Sequence, residues 1–139
     1  MMKIFCLILV VGVALVAADF TPRTAENVLK YDDECGAELK ESPERLAEFK
    51  KGEFKEDRES FCHVHCVARK MELFDDEKGT NVENMLKQLL TNNAKPEAEM
   101  KKTVEDCIKS SEDKKEDKCV WAFSGFTCLG EHGLKASPV

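Results

Sequence analysis

The chain has 139 residues, of which 35% are charged, 42% apolar and 7% aromatic, with a formal net charge of −6. The apolar fraction is too large for a disordered chain, and the acidic balance argues against nucleic acid as a partner and against electrostatic docking on anionic lipid. The seven cysteines are the densest information in so short a sequence.

The chain opens with Met1-Met2-Lys3, and Ile4 through Ala18 is then an unbroken apolar or small stretch. A membrane-spanning helix needs about 20 residues, so this run is too short to span. It ends in Val16-Ala17-Ala18, a small-residue cleavage pattern. Residues 1–18 are therefore expected to be a secretory signal peptide, and 19–139 one mature domain. Without Lys3 the mature chain keeps 20 basic against 27 acidic residues, a net charge of −7.

Helical periodicity runs through the mature chain. Val28, Tyr31, Cys35 and Leu39 mark a first helix over about 24–40. Ser42-Pro43 supplies a cap and a first-turn proline for a short second helix carrying Leu46 and Phe49, which Gly52 ends. Asp57 caps a third, with Phe61, Val64, Ala68, Met71 and Phe74 on its inner side. After the polar turn Asp75-Asp76-Glu77-Lys78-Gly79, Thr80-x-x-Glu83 reads as a capping box. It opens a fourth helix with the stripe Val82, Met85, Leu86, Leu89 and Leu90, broken by Asn92-Asn93. Pro96 opens a fifth, with Met100, Val104, Cys107 and Ile108 facing in. A charged loop over 110–118 leads to a sixth, from Lys118 to Leu129. No strand alternation is sustained.

Secretion gives the cysteines their meaning. Cys6 falls in the leader, and Cys35, Cys62, Cys66, Cys107, Cys119 and Cys128 remain. An even number in an oxidising compartment implies three disulfides, among 15 possible pairings. Cys62 and Cys66 lie one turn apart on the third helix and can bind two different elements. Loops of this size are worth roughly 3–4 kcal/mol per bridge in the chain-entropy model, comparable to a small domain's net stability.

Other chemistry finds little support. Cys62-His63-x-His65-Cys66 contains zinc-type ligands, but residues 63 and 65 stand about 200° apart on a helix and the disulfides consume both cysteines. No metal or cofactor is expected. The two histidines are expected to be exposed and to pair with nearby charges. No Gly-x-Ser-x-Gly elbow, phosphate loop or spare cysteine nucleophile is present, so no catalytic residue is assigned.

The pattern Cys35-x26-Cys62-x3-Cys66-x40-Cys107-x11-Cys119-x8-Cys128 resembles that of the insect odorant-binding proteins, the pheromone and general odorant carriers. The segment Cys66-Val67-Ala68-Arg69-Lys70-Met71-x-Leu73-Phe74-Asp75-Asp76-x-x-Gly79 and the motif Cys119-x2-Ala122-Phe123-x4-Cys128 resemble the family too. The resemblance implies an all-α fold of six short helices around an apolar cavity. It pairs Cys35 with Cys66, Cys62 with Cys119 and Cys107 with Cys128.

It also implies a secreted carrier, not an enzyme, for a small hydrophobic ligand such as an odorant, a pheromone or a long-chain fatty acid. The expected lining is Met71, Phe74, Met85, Leu86, Leu89, Met100, Val104, Ile108, Phe123 and Phe126, with Phe123 at the family's aromatic position. A membrane receptor is a candidate second partner, and the chain is expected to be a monomer or weak dimer. The tail, 129–139, is either a lid over the cavity mouth or a frayed terminus. The competing expectation is a ligand-free interaction protein, a signalling, venom or seminal factor, on the same scaffold.

Overall fold

In a computed structural model that describes residues 19–139, the chain forms six α-helices and one very short hairpin. The expected signal peptide lies outside the described residues. The elements are α1 (Ala25–Glu38), α2 (Pro43–Lys50), α3 (Arg58–Lys70), β1 (Phe74–Asp75), β2 (Gly79–Thr80), α4 (Val82–Asn92), α5 (Glu97–Ser111) and α6 (Lys118–Glu131).

Local chemistry explains most boundaries. Side-chain oxygens of Thr24, Ser42, Asp57, Asn81 and Asp117 accept the free backbone N–H groups at five helix starts, which the helices themselves cannot satisfy. Pro43 occupies the first turn of α2. Gly52 follows that helix with φ +75, a conformation that suits a residue without Cβ.

Three local expectations are corrected. Asn81, not Thr80, caps α4, because Thr80 is drawn into a β-bridge opposite Phe74. That same bridge places Phe74 beyond the end of α3. The charged loop expected over 110–118 is partly helical: α5 runs on to Ser111 and a 3-10 turn covers Glu112–Lys114.

The three disulfides are Cys35–Cys66, Cys62–Cys119 and Cys107–Cys128. Neighbouring turns of α3 are thus tied back to α1 and forward to α6, while α5 is tied to the end of α6. The α3–α6 pair makes the most extensive helix contact. The main core joins Val28, Met71, Leu73, Met85, Leu89, Met100, Val104 and Leu129, all buried. A smaller cluster of Ala68, Phe74, Trp121 and Ala122 packs beside it, with Phe126 touching both. Within the smaller cluster the Phe74 and Trp121 rings meet edge to face at 5.1 Å, a favoured aromatic geometry.

Both ends of the described chain are clasped by amides of α4 and its C-cap. Buried Gln88 accepts the Arg23 N–H at 2.7 Å and donates to the Arg23 carbonyl at 3.1 Å. Asn93 makes the same two-way contact with Lys135. Leu134 and Ala136 are buried, so the tail packs on the domain.

Candidate ligand chamber

A cavity of about 590 Å³ lies between α1, α3, α6, the end of α2 and the C-terminal tail. That volume falls within the usual range for small-molecule sites. α3 contributes His63, Val64, Val67, Ala68 and Met71, which share one face of the helix. α6 contributes Phe123, Phe126, Thr127, Gly130 and Glu131, again at helical spacing. Val28 and Asp32 come from α1, and Phe49, Gly52 and Phe54 from the end of α2 and the turn after it. The tail supplies Lys135, Ala136, Ser137 and Val139.

Aromatic rings form much of the wall. Phe49 stacks on the His63 ring at 4.3 Å and on Phe54 at 5.5 Å. Phe123 leans on Phe61 at 4.7 Å. The wall is otherwise valine, alanine and methionine, so most of its surface has no hydrogen bond to offer an incoming molecule. Thr127, Glu131, Lys135 and Ser137 make the α6 and tail side more polar.

One part of the wall departs from this apolar character. His63 is 1% exposed, with Nε2 2.8 Å from Oδ1 of Asp32 and Nδ1 2.8 Å from Oε1 of Glu41. Asp32 is 4% exposed, and the Glu41 side chain is equally enclosed. The expectation that His63 would be exposed is therefore overturned: α1 and the start of α2 close over that face of α3. His65 turns the other way, as the 200° separation requires, and pairs with Asp76 at 2.6 Å.

A second, larger hollow of about 1090 Å³ runs past Asp19–Arg23, Glu38, Arg69, Lys70 and Glu72. Its walls mix Phe20, Leu39, Phe74 and disulfide sulfur with several ion pairs. Arg23 meets Glu72 at 2.6 Å, and Lys70 bridges Glu38 and Glu34. The hydrogen bond to Glu38 holds the Lys70 ammonium above the usual lysine range. About half of the cleft's lining is polar or charged, whereas the aromatic chamber is mostly apolar and is the better candidate site.

Of the ten residues expected to line a cavity, the structure brings Met71, Phe123 and Phe126 together on the chamber. Phe74 lines the charged cleft instead. Met85, Leu86, Leu89, Met100 and Val104 lie in the main core, with Ile108 packed against it. Val28, Phe49, Phe54, His63, Val64 and Val67 are chamber residues that the sequence did not assign to the cavity, although Val28, Phe49 and Val64 stood on the apolar stripes of their helices. Phe49 carried a signal, since it was already on the inner stripe of α2. The acidic Asp32 one turn beyond Val28 was another.

The sequence matches the PBP/GOBP family over residues 17–132. It is 35% identical to odorant-binding protein 22 of Aedes aegypti across 133 residues, 96% of this chain and 93% of that one. It is 33% identical to general odorant-binding protein 99a of Drosophila melanogaster, covering 96% of this chain and 92% of that one. Among solved structures, odorant-binding protein 22a of Anopheles gambiae has the same fold. Its TM-score is 0.62 at 24% identity, over 73% of this chain and 94% of that one. A second structure of that mosquito protein, with bound odorant cyclohexanone, has TM-score 0.62 at 23% identity, over 73% of this chain and 87% of that one.

Proposed function

The chain belongs to the PBP/GOBP family of odorant-binding proteins, and from that premise we propose that it is a secreted carrier of one small hydrophobic molecule held in the chamber between α3, α6 and the tail. The observation that carries this reading is the chamber itself, about 590 Å³ with an aromatic and aliphatic wall. The mosquito relative solved with cyclohexanone takes a guest of this general kind.

The mechanism is burial. Each methylene removed from water contributes about 0.8 kcal/mol, so a ten-carbon chain gains roughly 8 kcal/mol before ordering costs. That gross gain sets about micromolar affinity as the ceiling for a ten-carbon chain, and each further methylene raises it. Odorants, pheromones and long-chain alcohols, acids or esters suit such a site. Met71 adds adaptability, because its unbranched thioether accommodates varied shapes. No reacting group is needed, and the role is transport. Residues 1–18 act as the leader that sends the chain to an extracellular fluid, and delivery ends at a membrane receptor. The protein works as a monomer or weak dimer.

The test is direct. Delipidated, oxidised protein should bind the apolar fluorescent probe N-phenyl-1-naphthylamine saturably, one per chain, and release it to competing long-chain alcohols. Protein that takes up no probe would favour a ligand-free interaction role. Amino-terminal sequencing of secreted material should begin at or near Asp19.

A further inference from the structure

We propose that the Glu41–His63–Asp32 array makes one wall of the chamber a hydrogen-bond acceptor, so that among apolar ligands of equal size the protein selects those ending in a hydroxyl or ammonium donor. The inference rests on the carrier reading and narrows its ligand class.

Three observations support it. The first is the ring's double contact. Both nitrogens of His63 face carboxylate oxygens, Asp32 Oδ1 on one side and Glu41 Oε1 on the other. A neutral imidazole has one N–H and one lone pair, and the lone pair would then point at an oxygen lone pair. Either the ring carries both protons, or one carboxyl keeps its own. Both arrangements contain the same number of protons, and both leave the three groups with one net negative charge.

The second is the lack of compensation. Among the described residues, no lysine or arginine pairs with Asp32 or Glu41. Oδ1 of Asp32 is taken by His63, while Oδ2 has no hydrogen-bond donor among the described residues. Oδ2 keeps a small accessible surface where Asp32 lines the chamber, so a donor entering the chamber can reach it. The third is position. Asp32 and His63 both line the chamber, and Phe49 and Phe54 flank the ring. An apolar body can therefore rest on the aromatics while its terminal donor reaches Asp32.

The same charge works against a carboxylate ligand at this wall. A fatty acid would have to turn its head toward Lys135, among the described residues the one lysine on the chamber lining, or bind less tightly. The array thus separates donor heads from acceptor-only heads, which the aromatic wall cannot do.

The experiment is isothermal titration of delipidated, oxidised protein with decanol, decylamine, decyl methyl ether and decanoate. Decanol, decylamine or both should bind about ten-fold or more tightly than the ether, in line with a hydrogen bond to a charged partner. Asp32→Asn turns its free edge into a donor, which alcohol and ether accept equally. The alcohol-to-ether ratio should then fall to near one, and any amine advantage should disappear. An ether that binds wild-type protein as well as both donors, or decanoate as the tightest of the four, would overturn the inference while leaving the carrier reading intact. A ratio unchanged in folded Asp32→Asn would overturn the assignment to Asp32. Failure of all four to bind would remove both.

Discussion

Asn93 holds Lys135 from both sides of its peptide, accepting the Lys135 N–H at 3.0 Å and donating to the Lys135 carbonyl at 2.9 Å. Its amide also donates to the Leu89 carbonyl, which anchors the clasp to the last turn of α4. The residues just beyond, Ala136, Ser137 and Val139, stand on the chamber wall. Asn92 also donates to the Lys135 and Ala136 carbonyls, so two neighbouring side chains at the end of α4 hold the cover of the site. Asn93→Ala should cost about 1 kcal/mol of stability. Amide hydrogen exchange at Lys135 should accelerate, and so should ligand dissociation, while exchange in α3 stays slow. Tail protection equal to wild type would show that the clasp does not hold the tail.

A Cβ on Gly79 would stand 2.5 Å from Cζ2 of Trp121, and the residue sits at φ +78. Gly79→Ala is therefore opposed by both backbone conformation and space. The expected loss is about 1–3 kcal/mol, read by thermal unfolding. Trp121 emission should shift as the indole leaves its edge-to-face contact with Phe74. Unchanged emission and stability would contradict the packing described.

Core and chamber can be separated by paired substitutions. Val64 lines the chamber, whereas Met85 is fully buried in the main core. Val64→Trp fills the hollow and should weaken probe binding at least about ten-fold, with the fold retained. Met85→Ala should cost about 2–5 kcal/mol and leave the affinity of the folded fraction near wild type. The reverse pattern would move the site into the core.

Acid should erode stability in a defined window. Backbone N–H groups hold three carboxylates below the usual range: Ser60 to Asp57, Lys78 to Asp75 and Val120 to Asp117. A carboxyl that is lowered on folding adds stability above its unfolded value, about 3.9, and that share is lost as pH falls through the lowered folded value. The melting temperature should therefore stay level, so far as these groups decide it, from neutral pH to about pH 5 and fall below about pH 4. Asp117→Asn keeps a capping side chain but removes its titration, so the acid limb should become shallower. An unchanged limb would mean Asp117 does not contribute.

The six helices were legible because stop and start signals act locally: Ser42-Pro43, Asp57 and Gly52 each operate within one turn of where they stand. Thr80 failed as a cap because a contact with Phe74, six residues away, claimed its backbone. The disulfide pairing came from family spacing, since the six cysteines alone permit many connectivities. The chamber wall was harder to see. Met85, Leu89, Met100 and Val104 carry the same apolar period that a cavity wall would, and periodicity does not distinguish a surface facing another helix from one facing a hollow. His63 was hidden for a related reason. Its burial depends on Asp32, 31 residues earlier, and on Glu41, 22 residues earlier.

The most direct measurement of where the guest sits is isotope-filtered nuclear Overhauser contact between unlabelled decanol and labelled, oxidised protein. A guest held in the chamber gives contacts from the alkyl chain to the Met71 methyl, to the Val64 methyls and to the Phe123 and Phe126 rings. Contacts confined to Met85, Leu89, Met100 and Val104, or to the cleft beside Arg23 and Lys70, would contradict that placement.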